Sequence, residues 1–179
     1  FDPAYLEVPH EIIQLTMATN QKYFAVEDEA GKLAPAFVSV ANLEAPDKGR
    51  AIVAGNERVL SARLADARFF WEQDKRKPLA ECAEKLSGIV FHEQLGTMAD
   101  KVERVAKLAG HLSRHHFPGT DAAVAERTAR LMKADLVSGT VGEFPELQGV
   151  IGGYLAAAEG EDAAVAAALS QQYLHCPEG

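Results

Sequence analysis

The twenty residues from Gly55 to Asp74 constrain this chain most, because they read as one long helix that must be covered along one side. At about 100° per residue, Leu60, Leu64, Ala67 and Trp71 fall on a line with Val59 and Phe70 beside it, an apolar arc about 140° wide. Glu57, Ser61, Ala65, Arg68 and Glu72 lie opposite, and Gly55-Asn56 and Pro78 supply start and stop signals. Arg63 falls inside the arc, where an unpaired guanidinium is costly. Asp66, one turn on, has the spacing for a structural ion pair with it; a guanidinium snorkelling from the helix edge is the ordinary alternative.

The segments on either side of this helix have different periodicities. Before it, a short apolar-periodic run after Pro9 (Ile12, Ile13, Leu15, Met17) predicts a helix of a few turns. The aromatic and β-branched runs 23–27 and 36–41 then flank the charged turn Asp28-Glu29-Ala30-Gly31-Lys32, which predicts a β-hairpin. A lone hairpin is marginal in water, so its apolar side must pack on the long helix or, as we favour, on strands this chain does not contain. After the basic hinge Lys75-Arg76-Lys77, everything reads at helical period with no convincing strand: helices beginning at Pro78 and capped by Thr97, others after Asp121 and around Val150, and an Ala-rich one from Asp162 to Leu174. The fold class is therefore mainly α, with residues 1–77 forming the hairpin and long helix at the edge of an α/β body and residues 78–179 forming a helical domain.

Charge bounds the partners. With 18 Lys and Arg against 26 Asp and Glu, the net charge is −8, so any nucleic-acid contact must be local. Two dense basic clusters exist: the hinge Lys75, Arg76, Lys77, and a stripe in which Lys101, Arg104, Lys107, His111 and Arg114 recur every three or four residues. The stripe is preferred for tracking a phosphate backbone because a rigid helix presents several donors at once, although a solvated helix face is the commoner meaning of such a pattern. His111 and His115 are spaced i, i+4 beside His116, but no Glu follows His111 as a zinc-protease helix requires, and the approach of Pro118 makes them end-of-helix cations instead. Cys82 and Cys176 form no CxxC and no disulfide framework, which suits a reducing compartment. No phosphate-binding glycine loop, nucleophile elbow or membrane-length apolar run is present. The chain begins at Phe1 without a Met, which fits a piece of a longer polypeptide.

Several motifs carry a resemblance across the chain: Asn20-Gln21-Lys22-Tyr23-Phe24, Gly55-Asn56-Glu57-Arg58-Val59-Leu60 followed by Arg63-Leu64-Ala65-Asp66-Ala67, Leu95-Gly96-Thr97 with Asp100-Lys101, and Val141-Gly142-Glu143-Phe144-Pro145-Glu146-Leu147-Gln148-Gly149. In this order they resemble the β subunit of the bacterial heterotetrameric glycyl-tRNA synthetases. The resemblance implies an internal fragment in which residues 78–179 are an HD-like domain. It also implies a role in tRNA recognition and subunit scaffolding without a catalytic site in this chain. The implied partners are an α subunit that uses ATP and Mg to make the glycyl adenylate and a tRNA for glycine, in a cytoplasmic enzyme of two α and two β chains with no membrane association. HD phosphohydrolases hold metals through a His before an Arg-Val-Ala run and a later His-Asp pair. Here the run is Arg104-Val105-Ala106, the first His position is Lys101, and the pair falls at Ala134-Asp135. Two imidazoles are missing, so the resemblance predicts no metal, with Asp135 instead accepting from Lys101 or Lys133. The alternative is a metal-dependent HD phosphohydrolase using Asp135 with His111, His115 or His116.

Overall fold

A computed structural model describes residues 1–174, and the chain divides into two compact units after Glu72. The described residues are mainly helical, with two small antiparallel sheets.

The first unit opens with a 3-10 turn, Pro3–Glu7, and helix α1, His10–Thr16, which widens into a π turn that Lys22 ends at φ 55°. Strands β1 (Phe24–Glu27) and β2 (Leu33–Val38) form the expected hairpin, with Phe24 opposite Val38 and Ala25 opposite Phe37. β2 begins and ends about three residues earlier than the aromatic run suggests, and Asp28 closes the turn by accepting from Ala30 and Lys32 at 2.9 Å each. Helix α2, Arg50–Asp74, starts five residues before Gly55. The cause is Asp47, whose carboxylate accepts from the amides of Gly49 (3.0 Å) and Ala51 (2.8 Å) and so caps the helix upstream.

Leu60, Leu64, Ala67 and Trp71 are buried with Ile12, Ile13 and Met17 in the core of this unit. Val59 is exposed, so the apolar arc is narrower than its sequence suggests. Arg63 and Asp66 are both exposed, and no ion pair joins them. The physical reason is the same: a narrower arc leaves Arg63 at its solvent edge, where water solvates the guanidinium. Arg68 of this helix does form an ion pair, to Glu7 at 3.0 Å.

The second unit contains α3 (Leu79–Glu84), β3 (Val90–His92), β4 (Gly96–Thr97), α4 (Met98–His115), α5 (Ala122–Leu131), α6 (Gly139–Glu143), α7 (Val150–Glu159) and α8 (Ala163–Gln171). The principal packings are α4 on α5, α7 on α8 and α5 on α8. Leu79, Leu86, Leu131, Ile151, Val165 and Leu169 are essentially inaccessible at its centre. The β3–β4 ribbon corrects the expectation of no strand after residue 77. Val90 and Phe91 favour extended backbone, and Gly96, at φ 85°, lets the chain return within four residues. α5 stops at Leu131 because Ala134–Val137 tightens into a 3-10 turn.

Candidate nucleic-acid interface

α4 owes its start to a reciprocal cap. The Thr97 hydroxyl accepts from the Asp100 amide, while the Asp100 carboxylate accepts from the Thr97 amide at 2.7 Å and hydroxyl at 2.8 Å. These bonds favour the ionised form and hold the Asp100 carboxyl below its ordinary range. The helix buries Val102, Ala106 and Gly110 against α5 and turns its basic residues outward.

The helix does not present those residues as one free stripe. Lys107 pairs with Glu103 at 3.8 Å, Arg114 pairs with Glu126 of α5, and Arg130 of α5 returns to Glu103. Toward the ribbon, the Lys101 ammonium lies 4.1 Å from the centre of the Phe91 ring, and Arg104 donates to the Leu95 carbonyl at 3.0 Å. The partners of Arg104 and Arg114 sit elsewhere in the chain, so the one-dimensional pattern could not reveal them. His111 packs against His115 and His116 with ring centroids 4.7 and 5.7 Å apart.

The hinge differs. Lys75, Arg76 and Lys77 are all exposed, and no carboxylate among the described residues pairs with Arg76 or Lys77. The turn is anchored immediately upstream by Asp74, a residue sequence reasoning passed over. Its buried carboxylate accepts from the Gly139 amide (2.9 Å), the Thr140 amide (2.7 Å) and the Thr140 hydroxyl (2.6 Å). Glu159 likewise accepts from the Leu79 amide at 2.9 Å, so α3 beyond the hinge is also held by a carboxylate. The only local signals were two acidic residues at helix ends, a placement that usually means solvent.

Asp135 does not meet Lys101, which is engaged with Phe91, nor does Lys133 bond to it. Lys133 donates to Gln172 at 2.8 Å and to the Tyr173 hydroxyl, with its ammonium 4.2 Å from the Tyr173 ring centre. Asp135 Oδ2 instead accepts from the amides of Gly149 (2.5 Å) and Gly152 (3.1 Å) at the start of α7, while Oδ1 is buried without a partner. Burial pushes this carboxyl above its ordinary range, and the two amides and the Lys133 charge pull back only in part. These donors do not fit a catalytic metal: one Asp135 oxygen is committed to backbone amides, and no group of three His, Cys, Asp or Glu among the described residues could hold an ion. Nothing in this geometry supports the phosphohydrolase reading. Cys82 is buried with its thiol pushed upward by that burial, so it is a packing residue. His175 and Cys176 lie outside the described residues.

The described residues form a mainly helical scaffold with local basic clusters, and comparison with known proteins identifies its family. A family model described as glycyl-tRNA synthetase beta subunit matches residues 1–179. The glycine–tRNA ligase beta subunit of Phenylobacterium zucineum is 53% identical over 175 residues, 96% of this chain and 26% of that protein. Those of Rhodospirillum centenum (50% identical, 96% and 24% covered) and Neisseria meningitidis serogroup A (49%, 97% and 25%) are similar. The chain belongs to the glycyl-tRNA synthetase β-subunit family, and it spans about a quarter of the length of these curated relatives.

Proposed function

We propose that this chain is a scaffold and tRNA-contacting part of a glycine–tRNA ligase β subunit. In this reading it works with an α subunit in an enzyme of two α and two β chains that glycylates tRNA with ATP. The observation that carries the reading is the family match over all 179 residues. In this reading the chemistry lies outside this chain, and ATP and Mg act through the α subunit. In this reading the enzyme is cytoplasmic; no described helix is long and apolar enough to cross a membrane.

Within this reading the hinge is the stronger phosphate contact. Lys107 and Arg114 already face carboxylates, so RNA must displace Glu103 and Glu126 to use them. Lys101 and Arg104 contribute from the ribbon side, since Arg104 spends one guanidinium nitrogen on Leu95 and keeps further donors outward. Arg76 and Lys77 present their charge on a turn that Asp74 anchors, which lowers the entropic cost of ordering them.

The test is steady-state kinetics of the whole synthetase carrying Lys75→Ala, Arg76→Ala and Lys77→Ala together. The KM for tRNA should rise several-fold while glycine-dependent ATP–pyrophosphate exchange is unchanged. A loss of exchange with an unaltered tRNA KM would contradict a tRNA-contacting role for the hinge.

A further inference from the structure

The β1–β2 hairpin is apolar on both sides. Side chains alternate along a strand, so Tyr23, Ala25 and Phe37 share one face and Phe24, Ala36 and Val38 share the other. The first face is covered: Tyr23 is buried and stacks on Phe37 with centroids 4.7 Å apart. The second is bare. Phe24 and Val38, directly opposite one another, are 62% and 53% exposed, and Val40, two residues beyond β2, is 72% exposed.

Beside this face lies a groove of about 640 Å³ whose lining mixes Phe24, Val40, Leu43 and Ile52 with polar residues such as Lys22 and Asn56. Leu43 is 64% exposed. Strands apolar on both faces belong to sheets covered on both faces, and a two-stranded sheet is not independently stable.

We propose that this face and groove seat another segment of the same β-subunit polypeptide, an apolar stretch from outside these 179 residues. Three observations select that occupant. Relatives are about four times as long as this chain, so most of the subunit's chain is available to supply it. A hairpin this small needs its cover while folding, and a tethered segment meets it at an effective concentration in about the millimolar range, which a separate chain does not match. RNA is the wrong chemistry: the groove's lining carries a single cation, Lys22, and its ammonium donates to the Thr19 carbonyl at 3.0 Å. The inference rests on family membership and not on the tRNA reading.

The experiment places single cysteines, Ala36→Cys, Val38→Cys or Val40→Cys, in the full-length β subunit and follows maleimide labelling peptide by peptide. In the β subunit alone, each thiol should label at least tenfold more slowly than in the same protein unfolded in urea, and neither dilution nor added α subunit should change the rate. Labelling at the unfolded rate means that water covers the face, and the proposal fails. Protection that appears only with the α subunit assigns the groove to that partner, and protection lost on dilution assigns it to a second copy; either overturns the proposal. Hydroxyl-radical oxidation of Phe24 in the unsubstituted subunit gives an independent reading, with protection expected without the α subunit.

Discussion

Asp74 and Asp135 are buried carboxylates that serve backbone amides. Asp74→Ala strands the amides of Gly139 and Thr140, and Asp135→Ala strands those of Gly149 and Gly152. Each should cost about 2–4 kcal/mol, from unsatisfied buried donors and a lost charge-assisted acceptor. Urea unfolding at unchanged m reads this directly; a loss below about 1 kcal/mol in either variant would show the cap to be dispensable. Asp135→Asn keeps an acceptor and should retain most of the stability. Its pH dependence has a definite sign. A folded-state pKa above the unfolded one means that Asp135's contribution is full below the ordinary carboxylate pKa and is lost as pH rises through the raised value. The stability of Asp135→Asn relative to the parent should therefore increase with pH across that window. Asp100 works in the opposite direction: its lowered pKa gives a contribution present above the ordinary carboxylate pKa and lost as pH falls through its folded value. Asp100→Asn should accordingly flatten the acid limb of the stability profile.

Among the elements, α7 and α8 approach closely, and Gly153 is the reason they can. A Cβ built there would stand 1.8 Å from Ser170 Oγ and 2.7 Å from the Ala166 carbonyl oxygen. A hydroxyl can swing away, but the carbonyl belongs to the facing helix backbone. Gly153→Ala should therefore force the helices apart and cost about 1–3 kcal/mol despite its better helix propensity, measurable as a lowered urea midpoint. Gly142, where a Cβ meets nothing within 4 Å, is the matched control and should tolerate Ala. How far such elements were legible depended on whether their causes are local. The Thr97–Asp100 cap spans only four residues, so Thr97's capping role could be read directly, as could the line Leu60, Leu64, Ala67 and Trp71. The true start of α2 was missed because Asp47, outside the periodic stretch, outweighs the weak break at Gly55. The β3–β4 ribbon was missed because its strands are only three and two residues long. The internal neutralisation of Arg114 was invisible because Glu126 stands on another helix.

For the whole molecule, a net charge of −8 means that electrostatic attraction to tRNA depends on where cations remain unneutralised, not on how many there are. By sequence the stripe on α4 is the richer cluster; folded, it carries carboxylates beside it. A phosphate replacing Glu103 or Glu126 exchanges one anion for another and releases few extra counterions. A phosphate meeting Arg76 or Lys77 neutralises charge that was bare. Each contact of the second kind contributes about 0.7–0.9 to the dependence of log binding constant on log salt. Neutralising Lys75, Arg76 and Lys77 together should therefore lower the salt slope for tRNA binding by the whole synthetase by about two. Neutralising Arg104, Lys107 and Arg114 together should lower it by less than one, the change coming mostly from Arg104. The measurement is tRNA affinity across a salt series for parent and both triple variants. A larger change from the α4 variant would mean that RNA does break the Glu103 and Glu126 pairs, and that the helix stripe is the main phosphate track.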